Sequence, residues 1–219
     1  MIITIDGPAA AGKGTLAAAI ADRYHYAYFD TGMIYRAVGL EMVLQNSDPN
    51  DESAAEKIAR ELTFPQMHLL SKHPDFRSDI GSKAASIVSA HPKVRAALLK
   101  MQQDFALHPV FADGSKAAGV IYDGRDTGTV VCPNAEVKFF ITADAKVRAL
   151  RRFKEYQQKG IDTPYDKVLA DMIARDKRDS ERAAAPLKPA ADALVFDTSE
   201  LSIEQTIEKA AAYIDAKLR

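Results

Sequence analysis

The first fifteen residues constrain the fold most strongly, because they combine an apolar run, a glycine-bounded loop and a helix start. Residues 1–5 are apolar or β-branched, which is typical of a buried strand. Gly7 and Gly12 bound the loop that follows Asp6, and the alanine-rich run at residues 16–21 favours a helix. In such a loop the backbone N–H groups point inward, and the helix N-terminus adds a partial positive charge. The order of strand, loop and helix therefore predicts phosphate binding.

Lys13 and Thr15 supply the side chains that this kind of loop needs. Lys13 can reach the outer phosphates as a mobile point charge. Ser or Thr usually follows the lysine directly, but here Gly14 intervenes and Thr15 supplies the hydroxyl. A simple glycine turn is the alternative, which the flanking strand and helix disfavour. We expect a nucleoside triphosphate to bind Gly7, Pro8, Ala9, Ala10, Ala11, Gly12, Lys13, Gly14 and Thr15.

The charge balance disfavours a nucleic-acid partner. The 219 residues include 29 Lys and Arg against 30 Asp and Glu, so no general field for polyanions is expected. Residues 146–182 are locally basic, with eleven Lys and Arg against seven Asp and Glu. A basic segment in a nearly neutral chain fits a small anionic ligand better than nucleic acid.

Other features of the composition narrow the class of protein further. Cys132 is the only cysteine, which excludes an internal disulfide, and the five histidines lack the spacing of metal ligands. No run approaches the length of a transmembrane helix, and the N-terminus lacks a basic-then-apolar signal region. We therefore expect a cytoplasmic protein with no membrane partner, large enough for one domain with sizeable insertions.

Apolar runs and helical periodicity alternate along most of the chain. Strands are predicted at residues 1–6, 27–30, 119–123, 137–142 and 194–197. Helices are predicted at residues 32–45, 53–62, 82–90, 93–107, 144–158, 165–182 and 203–218, with Thr31 and Ser202 as N-caps. This alternation predicts an α/β fold whose parallel sheet is covered on both faces. Residues 63–115 break the alternation, with a candidate strand at residues 67–70, and we interpret them as an inserted lobe.

Polar residues end three of the predicted strands. Asp6, Asp30 and Asp123 stand at these ends, and ligands of parallel sheets bind beyond the carboxyl ends of the strands. Arg36 lies about one and a half turns into the helix after Asp30, where its planar fork can hold a second phosphate group. Capping of that helix is an equally good role for Asp30 and Thr31, and the two roles are compatible.

Residues 175–182 are dense in charge. Arg175, Arg178 and Arg182 recur at spacings of four and three residues, which places them on one face of a helix. Asp179 lies beside them. A solvated face laced with ion pairs would explain an isolated charge run. In a chain with a phosphate loop, three arginines on one face indicate a lid that neutralises a transferring phosphoryl group.

Five segments of the sequence resemble bacterial cytidylate kinases, a branch of the nucleoside monophosphate kinases. They are residues 6–15, 30–36, 123–131, 175–187 and 190–198. The Gly-Arg-Asp at residues 124–126 and the two Arg-Asp pairs within residues 175–179 are specific within that class. The resemblance runs nearly from end to end.

The resemblance implies a three-layer α/β/α P-loop kinase fold with a central parallel sheet, an inserted monophosphate-binding lobe and a helical lid. The core would comprise about residues 1–62, 116–150 and 186–219, the insert about 63–115 and the lid about 151–185. The resemblance also implies that a monomeric enzyme transfers the γ-phosphoryl group of ATP to CMP or dCMP, with Mg²⁺.

The family pattern implies a role for each matching residue. The catalytic residues would be Lys13, Arg125, Arg175, Arg178 and Arg182, and Thr15 would contribute to the Mg²⁺ shell. The acceptor phosphate would bind Arg36 and Arg125. The cytosine would be read or flanked by Thr31, Arg95, Asp126 and Arg182, and the pentose by Ser86, Arg175 and Asp179.

Two positions depart from the family pattern. The family usually has glycine where Ala10 stands, and a positive φ angle there would cost alanine about 1 kcal/mol or more. Residues 77–85, before Ser86, form a short segment that lacks the Ile-Arg-Thr-x-Glu-Val pattern usual there.

Two other functions are open to a chain with this phosphate loop. The first is a P-loop kinase for UMP or for a small, shikimate-like metabolite. Base chemistry favours cytosine, because Asp126 can accept a hydrogen bond from its amino group but would repel the oxygen that uracil presents there. The second is a GTPase-like switch, which would need a guanine-reading Asn-Lys-x-Asp motif that the sequence lacks.

Overall fold

A five-stranded sheet forms the centre of the computed structural model, which describes residues 1–218. The strands are β1 (Ile2–Asp6), β2 (Ala27–Asp30), β3 (Val120–Gly124), β4 (Val137–Thr142) and β5 (Leu194–Asp197). They lie in the order β2-β3-β1-β4-β5. β1 pairs in parallel with β3 and β4, and β4 with β5, so Ile3 lies opposite both Ile121 and Val137. The predicted α/β fold with a parallel sheet flanked by helices is confirmed.

Nine α-helices occur within the described residues. They are α1 (Lys13–Tyr24), α2 (Thr31–Leu44), α3 (Glu52–Glu61), α4 (Phe64–Leu70), α5 (Asp79–Val88), α6 (Pro92–Leu107), α7 (Ala145–Gln158), α8 (Tyr165–Glu181) and α9 (Ile203–Leu218). Ser202 caps α9 as predicted, because its hydroxyl accepts a hydrogen bond from the backbone N–H of Gln205 at 3.1 Å. Among residues 1–218, no helix has both the length and the apolar character that crossing a bilayer requires.

The first of two units in the chain comprises Met1–Phe29, His108–Glu181 and the chain from Ala185 onward, and it contains the sheet. One hydrophobic core cluster lies on a face of the sheet, where Ile5 and Phe139 pack with Leu16 and Ile20 of α1 and Ile214 of α9. All these side chains are buried. Because α1 packs against the strands, the end of β1 and the start of α1 are held in place. The two ends of the loop that connects β1 to α1 are therefore fixed.

The second unit comprises Asp30–Leu107 and Arg182–Ala184, and it is built from α2 to α6. α2 packs closely on α5 at Gly39, where an added Cβ would lie only 2.6 Å from the backbone nitrogen of Ala85. This close approach needs glycine, and it brings Arg36 of α2 within 2.9 Å of the Ser82 hydroxyl on α5.

Three local predictions are corrected within the second unit. The strand predicted at residues 67–70 is wrong, because these residues belong to α4. Thr63 and Gln66 cap that helix reciprocally, and Pro65 lies in its first turn, where the missing N–H has no intrahelical partner to lose. The N-cap of α2 is Asp30, which accepts from the Gly32 N–H at 2.9 Å, so Thr31 is the first helical residue instead of the cap. The helix predicted at residues 93–107 begins one residue earlier, because Pro92 is the first residue of α6.

Candidate active site

The loop between β1 and α1 has a backbone that requires glycine at two positions. Gly7 has a φ of 149°, and an added Cβ would lie 1.9 Å from the carbonyl oxygen of Ile141. Gly12 has a φ of 94° and directly precedes α1. Ala10 has a φ of 59°, so the alanine that departs from the family pattern adopts the left-handed conformation. That conformation costs a non-glycine residue about 1 kcal/mol or more. The predicted strand, loop and helix are confirmed as structure.

Lys13 lies buried in the first turn of α1. Its ammonium group donates to the carbonyl oxygen of Pro8 at 3.0 Å and lies 3.8 Å from the carboxylate of Asp123. Burial lowers the pKa of Lys13 to about 8, and the positive charge of Arg125 adds to this effect. The carboxylate of Asp123 acts in the opposite direction. A cation is therefore held against the phosphate loop with little water around it, where it interacts strongly with added negative charge.

Asp6 ends β1 and anchors the segment that follows β3. Its carboxylate accepts hydrogen bonds from the Thr127 N–H at 2.9 Å, the Thr127 hydroxyl at 2.8 Å and the Gly128 N–H at 2.8 Å. Burial raises the pKa of Asp6 to about 6, although these hydrogen bonds favour the ionised form. Thr127–Val131 form a single π-helical turn. Asp6 thus fixes the backbone directly after Asp126, which is itself buried.

Arg125 connects the end of β3 to α8. Its Nε donates to the carboxylate of Asp179 at 3.0 Å, and one terminal nitrogen donates to the carbonyl oxygen of Gly124. Burial lowers the pKa of Arg125, but the carboxylates of Asp179 and Asp123 outweigh that effect and raise it. The Arg125 guanidinium is therefore a fixed, permanent cation. The structure brings together these two predicted residues, although 54 positions separate them in the sequence.

The three predicted arginines of residues 175–182 differ in burial. Arg175 is half-buried, Arg178 is exposed, and Arg182 is 9% exposed. α8 ends at Glu181, so Arg182 follows the helix instead of lying on its face, and it belongs to the second unit. Asp179 is buried, and its carbonyl oxygen accepts from the Leu187 N–H at 2.8 Å. Arg178 is therefore the member of the set that solvent reaches most freely.

A cavity of about 450 Å³ lies beside the phosphate loop in the first unit. Its wall includes Gly12 and Thr15, Arg151 and Arg152 of α7, Thr198 after β5, and apolar residues at the start of α9. Thr198 donates to the carbonyl oxygen of Ala11 at 3.2 Å, and Arg151 donates to the carbonyl oxygen of Thr198 at 2.6 Å. These bonds fix the loop after β5 against the phosphate loop. The cavity is mostly apolar with a few polar groups, as is usual for a small-molecule site.

The second unit holds the other four predicted residues. Thr31 and Arg36 lie on α2, Ser86 on α5 and Arg95 on α6. The Arg95 guanidinium lies 5.3 Å from the ring centroid of Tyr35, one helical turn after Thr31, and donates to the carbonyl oxygen of Ser89. Thr31, Ser86 and Arg95 are all buried, whereas Arg36 is half-buried. Buried polar side chains on three packed helices are a suitable scaffold for a polar ligand.

The oxygen donors near the phosphate loop suit a magnesium ion. Within residues 1–218, no group of three or more His, Cys, Asp or Glu side chains could hold a metal ion. Thr15 presents an exposed hydroxyl in the first turn of α1, and the carboxylate of Asp123 lies 3.2 Å from where a Cβ on Gly14 would stand. Mg²⁺ keeps several waters and binds through one or two protein oxygens plus substrate phosphates. These residues therefore fit an ion that binds together with a phosphorylated substrate.

Sequence reasoning missed the residues that connect distant segments around the loop. Arg148 and Arg151 lie on α7, which the sequence marks only as a basic helix. Thr198 stands in the last of the segments that resemble the family, but nothing local indicates that its hydroxyl reaches Ala11. Asp123 was recognised as a strand end, and the only further signal was its position next to the Gly-Arg-Asp motif.

A five-stranded parallel sheet flanked by helices, with a glycine-bounded loop between its first strand and the first helix, is the fold of the P-loop kinases. The chain belongs to the cytidylate kinase family, whose model matches residues 3–216. It is 51% identical over 212 residues to the cytidylate kinase of Rhodospirillum rubrum, covering 96% of this chain and 95% of that protein. It is 50% identical over 216 residues to the cytidylate kinase of Paramagnetospirillum magneticum, covering 99% and 98%.

The fold also occurs in a solved structure with little sequence similarity. The crystal structure of an uncharacterized protein from Eubacterium ventriosum aligns with a TM-score of 0.55 at 12% identity, covering 99% of both chains. At this level of identity the likeness concerns the fold alone. The family assignment rests on the closer sequence relatives.

Proposed function

We propose that the protein transfers the γ-phosphoryl group of ATP to CMP and dCMP, forming ADP and CDP or dCDP. The observation that carries this proposal is the family match over residues 3–216. A phosphate loop with a buried lysine supports the ATP side of the reaction. Nothing in the site favours UMP or a small metabolite as the acceptor.

ATP is proposed to bind within the first unit. Its phosphates would lie on the backbone N–H groups of residues 7–15, with Lys13 leaving the Pro8 carbonyl to reach the outer phosphates. The cavity next to Gly12 and Thr15 has room for the adenine base and ribose, because ligand cavities of this size class hold drug-sized molecules. Mg²⁺ would be held by the Thr15 hydroxyl, with the carboxylate of Asp123 beside Gly14, and would supply charge neutralisation when bound.

The acceptor nucleotide is proposed to bind the remaining residues of the family pattern. Arg36 and Arg125 would hold its phosphate, since guanidinium forks bind phosphate oxygens bidentately. Thr31, Arg95, Asp126 and Arg182 would read the cytosine, and Ser86, Arg175 and Asp179 would contact the pentose. Buried Asp126 and Arg95 support this division, because buried charged partners reject a base that leaves them unpaired. In domain terms, residues 63–115 would form the monophosphate-binding insert.

The chemical step is an in-line transfer without a covalent enzyme intermediate. A phosphate oxygen of CMP bonds to the γ-phosphorus, and the bond from that phosphorus to the β–γ bridging oxygen breaks to leave ADP. The transfer needs positioning and charge neutralisation more than proton transfer. Lys13, Arg125, Arg175, Arg178 and Arg182 would supply the positive charge, with residues 151–185 acting as the lid that brings arginines to the phosphates.

A monomeric state and a cytoplasmic location are also part of the proposal. The first follows from the family resemblance, and the second follows from the composition of the sequence. Light scattering after size-exclusion chromatography tests the first, with the mass of a single chain as the expected result. Fractionation of cells that express the protein tests the second.

An ADP-release assay across the common ribonucleoside and deoxyribonucleoside monophosphates tests the proposed reaction. We expect kcat/KM to be highest for CMP and dCMP. Equal or greater activity with UMP would support a kinase for another monophosphate. Binding of ATP without transfer to any acceptor would support a nucleotide-binding switch and would contradict the proposal.

A further inference from the structure

The guanidinium of Arg148 joins three separate segments of the first unit. Its Nε donates to the carbonyl oxygen of Ala143 at 2.8 Å, directly after β4. One terminal nitrogen donates to the carbonyl oxygen of Ala9 in the phosphate loop at 3.2 Å, and the other pairs with the carboxylate of Asp176 on α8 at 2.7 Å. Arg148 is only 5% exposed, so these acceptors replace water. A rigid planar fork is needed to reach all three.

The carboxylate of Asp176 relies on Arg148 for its hydrogen bonding. Its Oδ2 atom pairs with Arg148, and its buried Oδ1 atom has no hydrogen-bond partner among residues 1–218. Asp176 directly follows Arg175, one of the arginines proposed to act on the phosphates. The position of α8 along this stretch is therefore tied to the position of the Ala9 carbonyl.

Ala10 forms a second contact between the same two elements. Its side chain packs against the apolar cluster of α7 and α8 that contains Ala149, Val168 and Met172. A glycine at this position would have no such contact. The left-handed backbone of Ala10 therefore coincides with a methyl group that touches the α7–α8 pair, and the Arg148 bond lies on the preceding residue.

We infer that Arg148 is a positioning residue for phosphoryl transfer, which locks the conformation of the phosphate loop to the position of α8 through Ala9 and Asp176. This inference rests on the proposed function for its kinetic consequences, but the mechanical coupling does not depend on the acceptor. Arg148 touches neither nucleotide in this scheme. It acts by fixing the position of the loop that holds ATP relative to the helix that carries Arg175.

A residue that acts in this way affects turnover more than substrate binding. If the phosphate loop and α8 shift relative to each other, the positive charges move away from the transferring phosphoryl group. A displacement of about 1 Å can cost about 100-fold in rate. The acceptor contacts lie on other residues, so KM for CMP should change little. Arg148 and Asp176 should also act as one unit, because each is the partner of the other.

Three variants test the inference: Arg148→Gln, Asp176→Asn and the two combined. We expect kcat with CMP to fall about 10- to 100-fold in each single variant, with KM for CMP within about threefold of wild type. The double variant should be no slower than Arg148→Gln alone. Arg148→Lys keeps the charge but not the fork, so it should recover only part of the activity. Lys177→Met, next to Asp176 on the exposed side of α8, is the matched control and should keep wild-type kcat.

Hydrogen–deuterium exchange with ATP alone supplies a readout that does not require catalysis. In the wild type we expect ATP to slow exchange both in the phosphate loop and in α8. In Arg148→Gln the loop should still be protected but α8 should not. Unchanged kcat together with wild-type protection of α8 in these variants would overturn the inference, as would fully additive losses in the double variant.

The two proposals fail in different ways. If the wild type transfers to no monophosphate, the proposed function fails while the exchange experiment still tests the coupling. If Arg148→Gln does not fold, the milder Asp176→Asn variant, at a side chain 24% exposed, provides the same kinetic and exchange tests.

Discussion

Gly7 and Gly12 show two different reasons why a position in the loop requires glycine. Both have positive φ angles, but an added Cβ meets the Ile141 carbonyl at Gly7 and open space at Gly12. Gly12→Ala should therefore lose about 1 kcal/mol of unfolding free energy through backbone strain alone. Gly7→Ala should lose several times more, because the strand or the loop must move. Urea unfolding of both variants measures the difference, and equal losses would contradict the steric account.

The pH dependence of ATP use should report the ionisation of Lys13. Burial and Arg125 lower its pKa to about 8 in the free protein, so the ammonium loses its proton as pH rises through that value. We expect kcat/KM for ATP to fall above about pH 8, because this ratio reports free-enzyme ionisations. Bound phosphates favour the charged amine, so kcat should persist to higher pH.

The matched variant for that profile is Lys13→Arg. Its guanidinium stays protonated throughout the range, so any remaining activity should show no decline with an apparent pKa near 8. A wild-type kcat/KM that stays level up to about pH 9.5 would contradict the assignment of this group.

At the scale of elements, α8 carries a residue whose removal should affect chemistry without affecting the fold. Arg178 is exposed, and surface substitutions usually change stability by less than about 0.5 kcal/mol. If Arg178 neutralises the transferring group, Arg178→Ala should lower kcat by about 100-fold or more. Thermal unfolding and steady-state kinetics on the same preparation separate the two effects. A normal kcat would remove Arg178 from the proposed arginine set.

Elements that depend on local sequence were predictable, whereas those that depend on distant contacts were not. The loop after β1 could be predicted because strand, glycines and helix follow one another in the chain. α4 was missed because the apolar run at residues 67–70 resembles a strand, although Thr63, Pro65 and Gln66 form a recognisable helix start. The bonds from Arg148 to Ala9 and from Thr198 to Ala11 span 139 and 187 positions, and no spacing rule indicates them.

At the scale of the whole molecule, the proposed ATP residues all lie in the first unit, while Arg36 and four other proposed acceptor residues lie in the second. Each ligand alone should therefore stabilise the protein by linkage. At a concentration 100 times its Kd, a ligand adds about 2.7 kcal/mol, which corresponds to a rise in Tm of roughly 5–10 °C for a chain of this size.

Two variants should separate the stabilisation by ATP from the stabilisation by CMP. Lys13→Met should lose most of the Tm shift with ATP but keep the shift with CMP, because the acceptor contacts are proposed to lie elsewhere. Arg36→Met should show the reverse, since the Arg36 guanidinium, which donates to the Ser82 hydroxyl on α5, is proposed to hold the acceptor phosphate. Thermal-shift measurements with each nucleotide alone give the four comparisons, with UMP as the acceptor control. A ligand stabilises the protein only through the contacts it makes in the folded state. If either variant lost the Tm shift with ATP and also the Tm shift with CMP, the binding of ATP and of CMP could not be assigned to separate residues.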